Sequence, residues 1–311
     1  MRNALLALTS VALLLGTLEL ATRMFGPGEA GPVAGYIANW ERQWGDDFYT
    51  LKPGRGVNSE GLRDVEYEAR QISELPRIAF LGDSVIFGFK LAPELSVPAL
   101  LRQLLEERGQ PSEVMNVALP GWSTRQQRIA YRRIVQRYEP DQVFLGFCLN
   151  DVAELQNNLE RPPPLLLKLY RHSALFRTLL RPQAREIARV EELFLEPRAA
   201  HVRKAWNRTF AELDALVDEV RTDGAGFGLV VLPFRFQLRA NSPAAPPQER
   251  LHSWAEGRDV PFLDALPALH RAGWDAFLDY DHLSAKGART VAQAIASSDL
   301  LGAPGFPRGK P

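Results

Sequence analysis

Along the middle of the chain, apolar residues gather in short unbroken runs separated by longer stretches of mixed polarity. Arg77-Ile78-Ala79-Phe80-Leu81 stops at Gly82, Val114 to Ala118 stops before Pro120-Gly121, and Asp141 to Phe147 follows. Phe227 to Leu232 is closed by Pro233, and Val260 to Leu263 is interrupted by Pro261. Runs of this length, bounded by glycine or proline, fit strands buried on both faces. The proline predicts that the fifth strand is short. Between the runs the period changes. Pro98 to Glu107 predicts a helix stopped by Gly109, Ser123-Thr124 caps one that runs to about Tyr138, and Ser284 caps a closing helix to Ala296. Strands alternating with helices predict an α/β domain whose parallel sheet is covered on both faces.

Two regions break this rhythm. From Asp151 to Asp223, Pro162-Pro163-Pro164 is a rigid marker, and His201 to Arg221 reads as one long amphipathic helix with Phe210, Leu213, Leu216, Val217 and Val220 on one side. The segment is expected to be a helical insertion over the strand ends, where open α/β sheets bind their ligands. Its arginines Arg161, Arg171, Arg177 and Arg181 read as a solvated face. At the N-terminus, the basic start Met1-Arg2-Asn3 precedes Ala4 to Leu18, which is apolar or small apart from Thr9, Ser10 and Thr17. Glu19 then interrupts before Leu20, Ala21, Met24 and Phe25. The run sits at the short end of what a spanning helix needs, and Gly28-Glu29-Ala30 makes a poor cleavage site. The expectation is an uncleaved signal-anchor over residues 1–25, with the rest of the chain extracytoplasmic. A cleaved signal peptide and a buried core helix are the competing readings. Residues 26–75 are turn-rich and aromatic and read as a linker and strap, 76–300 as the α/β domain, and 301–311 as a loose tail.

Composition narrows the function. With 46% hydrophobic and 24% charged residues, the 311-residue chain is neither fully disordered nor a many-span membrane protein. Lys+Arg and Asp+Glu are both 37, so the basic excess of a duplex nucleic-acid binder is missing. The single cysteine, Cys148, permits no internal disulfide and reads as a core residue after an apolar strand. The five histidines are scattered, with no His-Glu-x-x-His pattern and no cysteine pair, and there is no glycine-rich phosphate loop. Neither metal nor cofactor is expected.

The candidate chemistry lies at the strand ends. Gly82-Asp83-Ser84 follows the first strand, and a serine on such a turn holds its hydroxyl toward solvent beside free backbone N–H groups. Gly121 follows the second strand, where its backbone N–H can approach a ligand without a side chain in the way. Asn150 follows the third strand and carries an amide suited to donate to an oxyanion. Asp279-Tyr280-Asp281-His282 precedes the closing helix; His282 can accept the serine proton, and a carboxylate is needed to fix its tautomer. Each segment alone is a common turn. All four fall on the same edge of one predicted sheet, the edge where α/β enzymes build their sites.

On these residues the chain resembles the SGNH/GDSL hydrolase superfamily of esterases, lipases, carbohydrate deacetylases and acyltransferases, whose four name-giving positions are matched by Ser84, Gly121, Asn150 and His282. The resemblance implies a flavodoxin-like three-layer α/β/α sandwich with a central parallel sheet. It implies Ser84 as nucleophile, His282 as general base and Asp279 as the orienting acid. The N–H groups of Ser84 and Gly121, with the Asn150 amide, would form the oxyanion hole. The Asn58 to Arg63 turn and the apolar N-terminus resemble membrane-anchored bacterial members. Leu149 departs from the small or polar residue common at its position, and the long insertion sets the chain apart from the simpler lipases.

The expectation is a membrane-anchored extracytoplasmic serine esterase acting on short-chain or acetyl O-acyl groups of a small molecule or glycan. Acyl transfer to an extracytoplasmic glycan, which the same triad would serve, and a non-catalytic binding module are the alternatives. Asp281 is the weaker candidate for the third triad member, because its carboxylate is expected to point away from the ring.

Overall fold

The computed structural model describes residues 2–25, 40–43, 48–69, 75–154, 173–176, 182–195, 198–239 and 245–302. The linker after Gly26, the Pro162–Pro164 marker, the four insertion arginines and the tail after Ala303 lie outside the described residues. In chain order the elements are α1 (Arg2–Phe25), β1 (Trp40–Gln43), β2 (Phe48–Leu51), β3 (Arg77–Gly82), the single turn α2 (Ser84–Phe87), α3 (Val97–Glu107), β4 (Glu113–Ala118) and α4 (Thr124–Ala130). Then follow β5 (Gln142–Cys148), α5 (Pro182–Glu191), α6 (Ala200–Thr222), β6 (Gly226–Leu232), α7 (Pro246–Glu256), β7 (Phe262–Asp264), α8 (Leu266–Ala272) and α9 (Ala285–Ala296).

Strands β3 to β7 form one parallel sheet in the order β4-β3-β5-β6-β7. This is the flavodoxin-like arrangement, in which the strand order reverses between the first and third strands of the sheet, here β3 and β5. The residues of β3 and β5 are all buried, as their unbroken apolar runs require. Gly82 at the end of β3 lies opposite both Ala118, the last residue of β4, and Gly146 of β5, which runs two residues further to Cys148.

The helix expected to run from Thr124 to Tyr138 is present but changes its hydrogen-bond pattern. Beyond Ala130, α4 continues through a π turn (Tyr131–Val135) and a 3-10 turn (Gln136–Tyr138). In the insertion, α6 buries Val202, Trp206, Leu213, Leu216, Val217 and Val220, whereas Phe210, expected on that face, is only partly buried. The strap is more regular than its sequence suggests, because β1 and β2 pair antiparallel, Trp40 opposite Leu51. The turn after it is tied by Asn58, whose Oδ1 accepts from the N–H groups of Glu60 and Leu62 while its Nδ2 donates to Val65. Gly61 has φ 76°, and a Cβ there would fall 2.3 Å from the Leu51 oxygen.

Helix α1 leaves large apolar side chains such as Leu13, Leu14, Met24 and Phe25 exposed. Its Glu19 carboxylate accepts from Ser173 Oγ and from the backbone N–H groups of Ala174 and Leu175 in the insertion. Among the described residues, no helix is long and apolar enough to cross a membrane, so the spanning anchor expected over residues 1–25 finds no support there.

Candidate active site

Strand β3 delivers its end to α2 through Asp83, whose side chain accepts from the Val85 N–H and caps the turn that starts at Ser84. The turn sits unusually close to the sheet because two glycines make room for it. A Cβ on Gly82 would lie 2.5 Å from Ile86, and one on Gly146 would lie 2.3 Å from Ile86 Cγ1. Real carbon contacts need about 3.5–4.0 Å, so both positions must lack a side chain. At its other end, α2 closes on Gly88 at φ 74°, with the Phe89 N–H returning to the Ser84 carbonyl at 3.0 Å.

The last carbonyls of this turn are held by the strap. Arg63, 6% exposed, donates to the carbonyls of Phe87, Gly88 and Leu91, and its guanidinium lies 4.1 Å from the centre of the Phe87 ring. A cation at the C-terminal end of the turn also complements the dipole. The sequence singled out the Asn58–Arg63 turn but assigned it no work; its work is to cap the segment that carries Ser84.

Gly121 follows β4 at φ 85°. Its loop is fixed by the strap as well. Trp122 is fully buried, donates from Nε1 to the Tyr49 carbonyl at 3.2 Å and stacks on Phe48, while the Tyr49 hydroxyl donates to the Pro120 carbonyl. Asn150 lies just beyond β5, 1% exposed. The neighbouring Asp151 carboxylate accepts from the Cys148 N–H and from Gln127 Nε2, each at 3.1 Å, tying the end of β5 to α4. Neither the Ser84 nor the Gly121 N–H donates to a partner among the described residues. Cys148 is fully buried, and burial, with Asp83, Asp281 and Asp151 nearby, pushes its thiol well above its ordinary pKa, which suits the core role read from sequence.

The loop before α9 is curled by Asp279. Its Oδ1 accepts from the backbone N–H groups of Asp281 and His282, and both of its oxygens stand 2.9 Å from His282 Nδ1. Asp281 departs from expectation. Instead of pointing away, its Oδ1 stands 3.0 Å from the same Nδ1, and the residue is 1% exposed. The curl that brings the 281 and 282 amides onto Asp279 turns both carboxylates toward one nitrogen. Burial opposes a charge on His282, but the two carboxylates outweigh it and raise the ring to about 10. Burial also works against Asp279, yet the hydrogen bonds from His282 and Lys90 hold its carboxyl well below the usual range. Asp279, Asp281 and His282 are the one group among the described residues whose possible metal-ligand atoms lie within 4.8 Å of one another. A protonated imidazole between the carboxylates, together with the Lys90 ammonium on Asp279, offsets their charge.

Two residues that sequence reading missed join this loop to the α2 segment. Lys90 Nζ reaches Asp279 Oδ2 at 2.8 Å from a backbone with φ 65°, rare for a residue with a side chain. The Phe89 ring packs 4.6 Å from the His282 ring, centre to centre. No local signal marks either contact, since 189 residues separate Lys90 from Asp279. Ser84, Gly121 and Asn150 therefore share the ends of three adjacent strands, with the Asp279–His282 pair fastened beside the first. Among the described residues no hydrogen bond joins Ser84 to His282. Such bonds are often long in free enzymes and tighten on substrate. The arrangement suits acyl transfer to a serine, which needs N–H donors for the charge that develops.

A family model described as GDSL-like Lipase/Acylhydrolase family matches residues 80–290. Among solved structures, the chain is similar to a putative lipolytic protein of the G-D-S-L family from Desulfitobacterium hafniense DCB-2, at 16% identity and TM-score 0.47, over 71% of this chain and 97% of that one. It is similar to a catalytic mutant of Axe2, an acetylxylan esterase from Geobacillus stearothermophilus, at 18% identity and TM-score 0.47, over 73% and 94%. It is also similar to the psychrotrophic esterase EstA from Pseudoalteromonas sp., at 14% identity and TM-score 0.45, over 71% and 95%. No curated protein matches the chain.

Proposed function

The chain belongs to the GDSL-like lipase/acylhydrolase family of ester-bond hydrolases, and from that premise we propose that it cleaves short-chain O-acyl esters through Ser84, His282 and Asp279. Ser84 Oγ attacks the ester carbonyl as its proton passes to His282. The charge that forms on the carbonyl oxygen is met by the N–H groups of Ser84 and Gly121 and by the Asn150 amide. The leaving alkoxide takes the proton from His282, leaving an acyl-serine. Water, deprotonated by His282, attacks that ester, and the acid departs as Ser84 regains its hydrogen. Asp279 keeps the tautomer with Nδ1–H, so that the other ring nitrogen does the proton transfer. The observation that carries this reading is the His282 ring held at Nδ1 by Asp279 beside the turn that presents Ser84.

The test is hydrolysis of p-nitrophenyl acetate and butyrate by the full chain in detergent. Ser84→Ala should lose nearly all turnover and all labelling by a fluorophosphonate, while melting like the wild type. Undiminished turnover in Ser84→Ala would reject the mechanism.

We read the domain as extracytoplasmic and held at a membrane through α1. The support is the apolar surface that α1 exposes from Val11 to Phe25. Alkaline washing of membranes from expressing cells should leave the chain in the pellet, and protease added to intact spheroplasts should digest the α/β domain. Release into the wash, or protection from protease, would sink this location.

A further inference from the structure

From Thr124 to Tyr138 the chain carries five arginines and no acidic residue, although its total charge balances. Arg125, Arg128, Arg132 and Arg133 recur at helical steps, so they share one face of α4 and its π-turn continuation. The opposite face, with Gln127, Ala130, Tyr131 and Ile134, is buried. The ordinary reading of such a stripe is a solvated helix surface. Here the arginines instead line a cleft of about 620 Å³ whose far wall contributes Glu212 of α6. Arg128 is already bound, to Glu212 at 3.0 Å and to Glu219 at 2.7 Å. Arg132 is exposed and meets no carboxylate among the described residues.

The cleft is not the site described above, but it begins beside it. Helix α4 starts three residues after Gly121, so Arg125 stands within the first turn from the loop that would face an ester oxygen. From Arg125 to Gln136 the lining extends about 16 Å at 1.5 Å per residue. A concave wall of guanidinium groups leading away from an ester-cleaving site suits an extended, negatively charged chain. Guanidinium forks match carboxylate and phosphate oxygens in pairs. A flat anionic bilayer would be met by a convex patch rather than by a trough between two helices with a carboxylate inside it.

We propose that this cleft binds a polyanionic glycan, a polymer bearing carboxylate or phosphate groups, whose esterified unit reaches Ser84. The proposal deepens the esterase reading and rests on it for the identity of the reaction, though not for the binding itself.

The experiment measures binding to full-length Ser84→Ala protein in neutral detergent, so that turnover does not enter. The probes are polygalacturonate for carboxylate, poly(glycerol phosphate) for phosphate, neutral dextran, and phosphatidylglycerol vesicles. At least one of the two polyanions should bind, weaken as salt rises, and compete with the other if both bind. Arg132→Glu should weaken that binding about tenfold, Arg132→Lys much less, and Glu212→Gln should tighten it. Melting temperatures identify any variant that fails to fold, and Arg132→Gln then takes the place of Arg132→Glu. Polyanion binding no stronger than that of dextran, binding insensitive to Arg132→Glu and Arg132→Gln, or saturable binding to vesicles alone would overturn the proposal. A protein that binds polyanions yet hydrolyses no ester would instead remove the esterase reading and leave this one standing.

Discussion

Replacing Gly146 by alanine probes the packing that presents Ser84. The added Cβ would sit 2.3 Å from Ile86 Cγ1, 2.5 Å from its Cδ1 and 3.1 Å from Phe80 Cε1. An ordinary carbon contact needs about 3.5 Å, so Ile86 must retreat by about 1.2 Å. It has little room, because it is fully buried and its turn is pinned by the three carbonyl contacts of Arg63. Overpacking of this kind costs ~1–3 kcal/mol, against a gain of ~0.4–1 kcal/mol from a stiffer unfolded chain. The net loss is ~1–2 kcal/mol, or a melting temperature lower by roughly 2–8 °C for a domain of this size. Ser84 lies two residues from Ile86, and a displacement of about 1 Å costs on the order of a hundredfold in turnover. Ile86→Ala alone should cost ~2–5 kcal/mol through its cavity. In the double variant, the new methyl at 146 enters space that Ile86 vacates. The two losses should then fall short of their sum by ~1 kcal/mol or more, with turnover partly restored. Urea unfolding and p-nitrophenyl acetate hydrolysis well below the melting point supply both readings. Additive stabilities, or a Gly146→Ala protein with unaltered melting and turnover, would refute the argument that these glycines seat the nucleophile.

Asp279→Asn should cut kcat/KM by about 10⁴-fold, the loss expected of a wrong-tautomer triad. Asp281→Asn should keep turnover within about tenfold and move the acid limb of the pH–rate profile to lower pH, because it removes one of the two charges that raise His282; the reverse outcome would make Asp281 the orienting acid. In the wild type that limb should lie above the ordinary histidine value of 6.5, since activity waits for the imidazolium to lose its proton. The same raised pKa contributes stability that is full below 6.5 and is lost as pH rises through about 10, which urea midpoints at pH 6 and 10 would detect. Lys90→Met, by removing the cation on Asp279, should carry the limb to still higher pH, and a limb unmoved by this change would count against an electrostatic role. Arg63→Ala should cost at least ~2 kcal/mol and lower turnover beyond that. Arg63→Lys should rescue little, because an ammonium cannot reach three carbonyls from one side of a ring.

Much of this architecture was written locally. The strands that hold the site announced themselves as apolar runs ended by Gly82, Pro120-Gly121 and Pro233, and Ser284 caps α9 with its hydroxyl as read. Three of the four candidate positions, Ser84, Gly121 and Asn150, follow strand ends, and His282 precedes the capped closing helix. What stayed hidden depended on folding together distant segments or on the shape of a turn. The Trp40–Gln43 strand carries too little apolar alternation to stand out. The orientation of Asp281 is decided by the backbone N–H bonds to Asp279, which residue spacing does not encode. The π turn in α4 has no glycine or proline to mark it, and the cleft along its basic face exists only once α6 is set opposite. The apolar N-terminal run was plain in sequence, but its crossing of a membrane was an extrapolation from length.

The capping of α2 by Arg63 bears on where this enzyme can be cut. Strand periodicity would suggest a minimal catalytic fragment beginning near Arg77, with everything before it dispensable. Such a fragment would retain the sheet, Ser84, Gly121, Asn150 and His282. It would also lose the guanidinium that satisfies three carbonyls behind Ser84, and the Tyr49 and Phe48 contacts that brace Pro120 and Trp122. The functional boundary therefore falls upstream of Phe48, inside a region that looks like packaging. Proteolysis between the N-terminal helix and Phe48 should release an active body, whereas a nick between Leu62 and Arg77 should silence it without dismantling the sheet.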